Sequence, residues 1–350
     1  MTSGGQLKER EELILQAVVH TYITTAEAVG SRSIVKRYGL GFSPATVRNV
    51  MSDLEELGYL QQLHASSGRV PTDQGYRYYV DYLMRVQELT MAERARIERE
   101  LSHRLSDADE VMRQTSHLLA LVSHQTGIVE APAESDAQVR RVELMAVSDE
   151  RLAVLIADNY GQVRTMLIAL EGGVDGDELP QINRFLNEHL QGVPVERLAG
   201  AIEAKMRAML DEQRKLAERA LLVLGLLPAQ RPAQLFLDGA TQLFEHPEFR
   251  DVAKAREVFS LLEEQERLVE LLRAGQLSRP ATGASVLIGS ETRSPGLEGI
   301  SVIASPYYVH DRAAGILGIL GPRRMPYSRL TAVVDYTAGV LGRFLTRLAR

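Results

Sequence analysis

The sequence predicts an α+β multidomain chain, on three observations. Residues 7–88 carry four helical patterns with a short extended pair between the third and fourth. Strand-like segments at 141–170 and 284–320 flank a mainly helical stretch at 195–275. The chain has 350 residues, and one domain per roughly 150 residues leads to an expectation of two to three.

The first pattern, Leu7 to about Thr24, places Leu13, Ile14, Val18 and Tyr22 at helical spacing. The second starts at Ser31, read as its cap, carries Ile34, Val35 and Tyr38, and stops at Gly39. The third is marked at both ends: Ser43 as N-cap, Pro44 at the first helical position, where a missing N–H costs nothing, and Gly58 beyond the end. Between them Val47, Met51, Leu54 and Leu57 form one apolar stripe. Tyr59 to Leu63 and Val70 flank the turn chemistry of His64-Ala-Ser-Ser-Gly-Arg69, which reads as a small hairpin. Thr72 then caps a helix with Tyr76, Tyr79, Val80 and Leu83 on one face. Three helices followed by a hairpin is the order of a winged helix-turn-helix, here residues 1–88.

From Thr90 to His124 the residues Leu101, Leu105, Ala108, Met112, Thr115, Leu119 and Val122 alternate steps of four and three, predicting one long connecting helix that lies against a partner or packs at home. Strands are expected near 142–147, 152–157, 163–169, 284–288, 300–308 and 316–320. Helices are expected over 182–190, 198–227, 233–244, 252–272 and 327–348, with proline breaks at Pro228, Pro232 and Pro247. The order β, helical, β implies one α/β domain, 89–194 with 276–350, interrupted by a helical subdomain at 195–275.

Composition narrows the function. Lys and Arg number 40 against 46 Asp and Glu, a net charge of −6, so the chain as a whole is not basic. Locally the balance differs. Between Ala28 and Ser52 stand Arg32, Lys36, Arg37 and Arg48 and no acid, and between Leu57 and Thr72 stands Arg69 and no acid. On a helical wheel the face opposite the apolar stripe of the third helix holds Ala45, Asn49 and Ser52, flanked by Thr46 and Arg48. Small residues let such a face enter a major groove, Asn can pair with adenine and Arg with guanine. With Ser43, these are the candidate DNA-binding residues. Arg69, beside Gly68 at the hairpin tip, is expected on the DNA backbone or minor groove. The tyrosines at 76, 78, 79 and 82 are read as packing rather than base stacking.

Other chemistry lacks a motif. Zero cysteines exclude disulfides, thiolate metal sites and a cysteine nucleophile. The eight histidines are scattered, and no metal, catalytic residue, cofactor or enzymatic activity is expected. Gly315 to Gly321 has glycines every third residue but lacks a phosphate-binding spacing. Arg323 and Arg324 form a weak candidate anion site ahead of the last helix. The polar opening is no secretory signal, and the most apolar run, Ala220 to Ala229, falls short of the roughly 20 residues a membrane helix needs. A cytoplasmic protein away from membranes is expected.

The runs Val29-Gly-Ser-Arg-Ser, Tyr38-Gly-Leu-Gly-Phe-Ser-Pro-Ala-Thr-Val-Arg-Asn, His64-Ala-Ser-Ser-Gly-Arg-Val-Pro-Thr and Gly318-Ile-Leu-Gly-Pro-Arg-Arg-Met-Pro-Tyr-Ser-Arg resemble the HrcA family of heat-inducible transcription repressors. That resemblance implies a winged helix, a GAF-like domain and an inserted dimerisation subdomain. It also implies a homodimer on an inverted-repeat operator, the CIRCE element, of chaperone operons, kept active by the chaperonin GroEL. Val50 departs from the family, which usually has an acid there, and Pro326 stands where a polar cap is common. A ligand-gated regulator, sensing a small molecule through the GAF-like domain, is the competing expectation.

Overall fold

The structure is a computed structural model. It describes residues 7–64, 67–102, 107–132, 137–148, 151–170, 178–206, 211–225, 234–249, 251–278, 283–293 and 297–348. The hairpin tip at 65–66, Leu105, Pro228 and Pro232 lie outside the described residues.

The N-terminal unit contains α1 (Glu9–Thr25), α2 (Ser31–Tyr38), α3 (Pro44–Glu56), a hairpin of β1 (Leu60–Gln62) and β2 (Arg69–Pro71), and α4 (Asp73–Tyr78), which runs on into a turn of π-helix at Tyr79–Leu83. Ser43 caps α3 as expected, its Oγ accepting from the Thr46 N–H at 3.1 Å. Ser31 does not cap α2: Gly30 holds that place with no side-chain bond, and Ser31 is the first helical residue. The buried stripe of α3 is Val47, Val50, Met51 and Leu54, whereas Leu57 is the C-cap and 51% exposed. Val50 therefore adds apolar surface to the core instead of altering the outer face. Thr72 joins hairpin to helix by accepting from the Gly75 N–H at 3.1 Å and donating to the Gly58 carbonyl at 2.6 Å. A Cβ at position 75 would meet the Tyr59 carbonyl oxygen at 2.1 Å, so only glycine allows this contact. Tyr76, Tyr78 and Tyr79 are buried and Tyr82 is exposed, in keeping with packing.

The long helix expected over 90–124 is two helices, α5 (Met91–Ser102) and α6 (Ala108–Ser123). Asp107 starts the second, its carboxylate accepting from the Glu110 N–H at 2.8 Å. The buried Leu101, Met112 and Leu119 pack within the chain, so the heptad spacing marks an internal seam.

Behind these helices stands a five-stranded antiparallel sheet in the order β7-β3-β10-β9-β8, from β3 (Thr126–Glu130), β7 (Leu235–Asp238), β8 (Ser285–Ile288), β9 (Ile300–Val309) and β10 (Arg312–Pro322). Its two faces follow the period of two along each strand. Val129, Ile303, Leu317 and Ile319 pack with α6 and α12 (Tyr327–Leu348). Ile128, Val302, Ile316 and Leu320 face α10 (Val252–Glu263) and α11 (Gln265–Ser278). β7 corrects the expected helix at 233–244, and β3 was not anticipated. Both are short, and β3 is buried on both sides, so neither shows the alternation that betrays a strand.

The segment between β3 and β7 folds on itself. β4 (Val139–Ser148), β5 (Arg151–Asp158) and β6 (Val163–Ala169) form an antiparallel sheet, one face of which is covered by α7 (Leu179–Leu190), α8 (Leu198–Met206) and α9 (Asp211–Gly225) around a separate core. The inserted unit thus takes in the strands from 139 onward as well as α8 and α9. The helices over 252–278 instead serve the larger sheet, so the 195–275 boundary does not coincide with the packing. Among the described residues no helix is long and apolar enough to cross a membrane.

Candidate nucleic-acid interface

Three elements hold α3 in place. It packs on α1, α2 and β1 through Val47, Val50, Met51 and Leu54. Tyr38 ties α2 to α1, its hydroxyl lying 2.8 Å from His20 Nδ1 and 3.2 Å from the Thr21 hydroxyl. With that side fixed, Ser43, Ala45, Arg48 and Asn49 are exposed on the opposite side, with Thr46 and Ser52 partly exposed beside them. Arg32, Lys36 and Arg37 are exposed on the neighbouring α2. The structure thus leaves nine of the ten candidate residues exposed or partly exposed on α2 and at the outer side of α3, with the exposed acids Asp53 and Glu56 in the C-terminal half of α3.

Arg69 is the exception. Its side chain is 14% exposed and its Nε donates to Glu55 at 2.8 Å. Its backbone is bonded both ways to Val29, each bond 2.9 Å. Arg69 was expected on the DNA backbone or minor groove; here its guanidinium pairs with an acid of α3 and fastens the hairpin to the helices.

Arg323 and Arg324 also have protein partners. Arg323 Nη1 donates to Asp73 at 2.6 Å, and Arg324 Nε to Glu248 at 2.8 Å. They close the boundary between the N-terminal unit and the large sheet, beside a cavity of about 310 Å³ that Tyr22, Tyr76, Phe249 and Val258 also line. Burial pushes the Tyr76 hydroxyl well above its ordinary pKa, so it stays neutral there. Burial opposes ionisation of Asp73, but the Ser290 N–H and Arg323 outweigh it and hold the carboxyl below its usual range. The sequence hinted at Arg323 and Arg324 as charged residues before a helix. It gave no sign of Asp73 and Glu248 as their partners. Among the described residues no group of three or more His, Asp or Glu side chains could hold a metal ion.

A multidomain α+β chain with such a surface is of the class of transcription repressors, as its relatives show. The model of the HrcA protein C-terminal domain matches residues 109–331. The heat-inducible transcription repressor HrcA of Geobacter sulfurreducens is 43% identical over 339 residues, which cover 97% of this chain and 98% of that protein. Its counterpart in Shouchella clausii is 38% identical over 346 residues, 98% of this chain and all of the other. A crystal structure described only as a hypothetical protein has a TM-score of 0.67 at 24% identity, covering 98% of this chain and 100% of that one, a likeness of fold. The chain belongs to the HrcA family of heat-inducible transcription repressors.

Proposed function

We propose that residues 1–88 act as a winged helix-turn-helix with α3 as recognition helix, and that a homodimer represses chaperone operons by reading an inverted-repeat operator. The observation that carries this is the open face of α3. Ala45, Asn49 and Ser52 are small or able to pair with a base, Arg48 flanks them, and no acid intervenes between Ala28 and Ser52. Affinity comes from phosphate neutralisation by Arg32, Lys36 and Arg37, and discrimination from Arg48 and Asn49. The large antiparallel sheet flanked by helices supports the GAF-like reading of the body.

The dimer contact in this reading is the outer face of the sheet β4-β5-β6. Among the described residues helices cover only its inner face, and Met145, Val163 and Leu167 are exposed on the other. An apolar sheet face left open in this way calls for a partner, and a second copy of the unit supplies a matching one. The apolar residues of α8 and α9, by contrast, are already buried within the unit. Maintenance of the active form by GroEL follows from the family resemblance.

A salt-series titration of the full chain against an inverted-repeat duplex and a scrambled duplex of equal composition, with and without GroEL, tests the reading. Preference for the repeat, strengthened by the chaperonin, is expected. Equal weak binding to both would overturn it.

A further inference from the structure

The N-terminal unit meets the body of the chain through matched charges on α4. Asp73 and Arg77 lie four residues apart, hence on one face of the helix, and each finds its opposite across the boundary. Asp73 accepts from Arg323 Nη1 at 2.6 Å and from the Ser290 N–H at 2.9 Å. Arg77 Nε donates to Glu291 at 2.7 Å, while its Nη2 reaches the same carboxylate and, at 2.6 Å, the Val286 carbonyl. Between them Tyr76 packs edge-on against Tyr327 with ring centroids 5.9 Å apart. Gly289 makes the closest approach possible, since it holds φ at +51° and a Cβ there would sit 2.4 Å from the Asp73 carboxylate.

Two further ties act away from α4. Arg324 Nη1 donates to the Ile23 carbonyl of α1 at 2.8 Å. Beyond the π-turn, the Gln87 N–H donates to the Ser328 carbonyl at 3.1 Å, and the Ser328 hydroxyl to the Arg85 carbonyl. Contacts at α1, α4 and 85–87 restrain rotation about any single one. Partly exposed ion pairs add little to stability, but they select orientation, because a wrong docking sets like charges together. The pattern is that of an alignment device.

We propose that Asp73, Arg77, Glu291 and Arg323 are positioning residues for operator recognition: they fix the direction of α3 relative to the body, and so the half-site spacing that one dimer reads. This rests on the proposed reading of α3 as the recognition helix of a homodimer. Each added base pair moves the second half-site by about 3.4 Å and turns it by about 35°. A fixed junction cannot follow that change, and a loosened one can.

The experiment uses inverted-repeat duplexes whose spacer grows one base pair at a time, together with a duplex bearing a single half-site. The unaltered chain is expected to show a narrow spacer optimum. In Glu291→Gln the preference for the best spacer over its neighbours falls by about tenfold, an ordinary size for coupling between sites, while half-site affinity is unchanged. An unchanged spacer profile in Glu291→Gln overturns the proposal. If the unaltered chain binds the half-site but shows no spacer optimum, the positioning role fails alone; if it prefers no repeat over scrambled DNA, the reading beneath it fails as well.

A second readout needs no DNA. The chain has no cysteine, so spin labels at Glu56→Cys and Arg312→Cys, both exposed positions, report one distance between α3 and the body. That distribution must broaden in Glu291→Gln. If it stays narrow in folded protein, the proposal is overturned.

Discussion

Arg69 and Glu55 join the hairpin to the C-terminal half of α3, with Nε 2.8 Å from the carboxylate oxygen. The hairpin arginine thereby cancels an acid beside the candidate interface, and its own charge is committed within the protein. Replacement of Glu55 by Gln releases the guanidinium. The slope of log affinity against log salt is then expected to steepen by about 0.9, the equivalent of one more phosphate contact. A slope unchanged within error would leave Arg69 as a purely structural tie.

Arg48 makes the opposite case, exposed on α3 and without an ion pair among the described residues. Arg48→Ala is expected to cost about 1–3 kcal/mol on the operator and to relax base preference at one position, as the loss of a bidentate contact to a base does. Measured by competition against random DNA, an equal loss on both would count against a base contact.

How much of this was legible depended on where each signal sits. α3 was readable because Ser43, Pro44 and Gly58 mark its ends locally, and the outer face followed from the wheel. α12 was readable from Leu330, Val333 or Val334, Thr337, Leu341 and Leu345 at helical spacing, and its observed limits are those expected. The break at Asp107 was hidden because the heptad spacing runs on through it. β3 was hidden because every residue from Thr126 to Glu130 is buried, which erases alternation. The alignment of the two units was hidden for another reason: Asp73 and Arg323 are 250 residues apart, and neither carries a local sign of its partner.

Leu167 tests the dimer face. It is 66% exposed on β6, and its cross-strand neighbour on β5 is Ala153. Leu167→Glu is expected to give a folded monomer by sedimentation, with the far-ultraviolet spectrum unchanged, half-site binding retained and the preference for an inverted repeat lost. A variant that remains dimeric would move the contact elsewhere.

Asn187 closes the free edge of β4 by imitating a strand. Its Oδ1 accepts from the Val142 N–H at 3.0 Å and its Nδ2 donates to the Val142 carbonyl at 2.7 Å, an arrangement that Asn183 repeats at Leu144. Asn187→Ala is expected to cost about 1–3 kcal/mol by leaving partly buried backbone groups unpaired. Faster hydrogen exchange should be confined to the Val142 amide and its neighbours. Exchange unaltered at Val142 would show that the edge is held by other means.

Glu130 offers a test by pH. Its side chain is 1% exposed on β3, paired with Arg273 of α11, which is 51% exposed. Burial pushes the carboxyl above its usual pKa, and the Arg273 guanidinium only partly offsets that rise. The native state therefore holds the proton more tightly than the unfolded chain does. Stability from this group is full below the usual carboxylate value and declines as pH climbs through the raised one. Glu130→Gln removes the ionisation, and water can solvate the Arg273 left behind. The advantage of the variant in melting temperature over the unaltered chain should therefore grow as pH rises from the usual carboxylate range toward neutrality. An advantage that shrinks over that range would mean that the ion pair, rather than desolvation, dominates at Glu130.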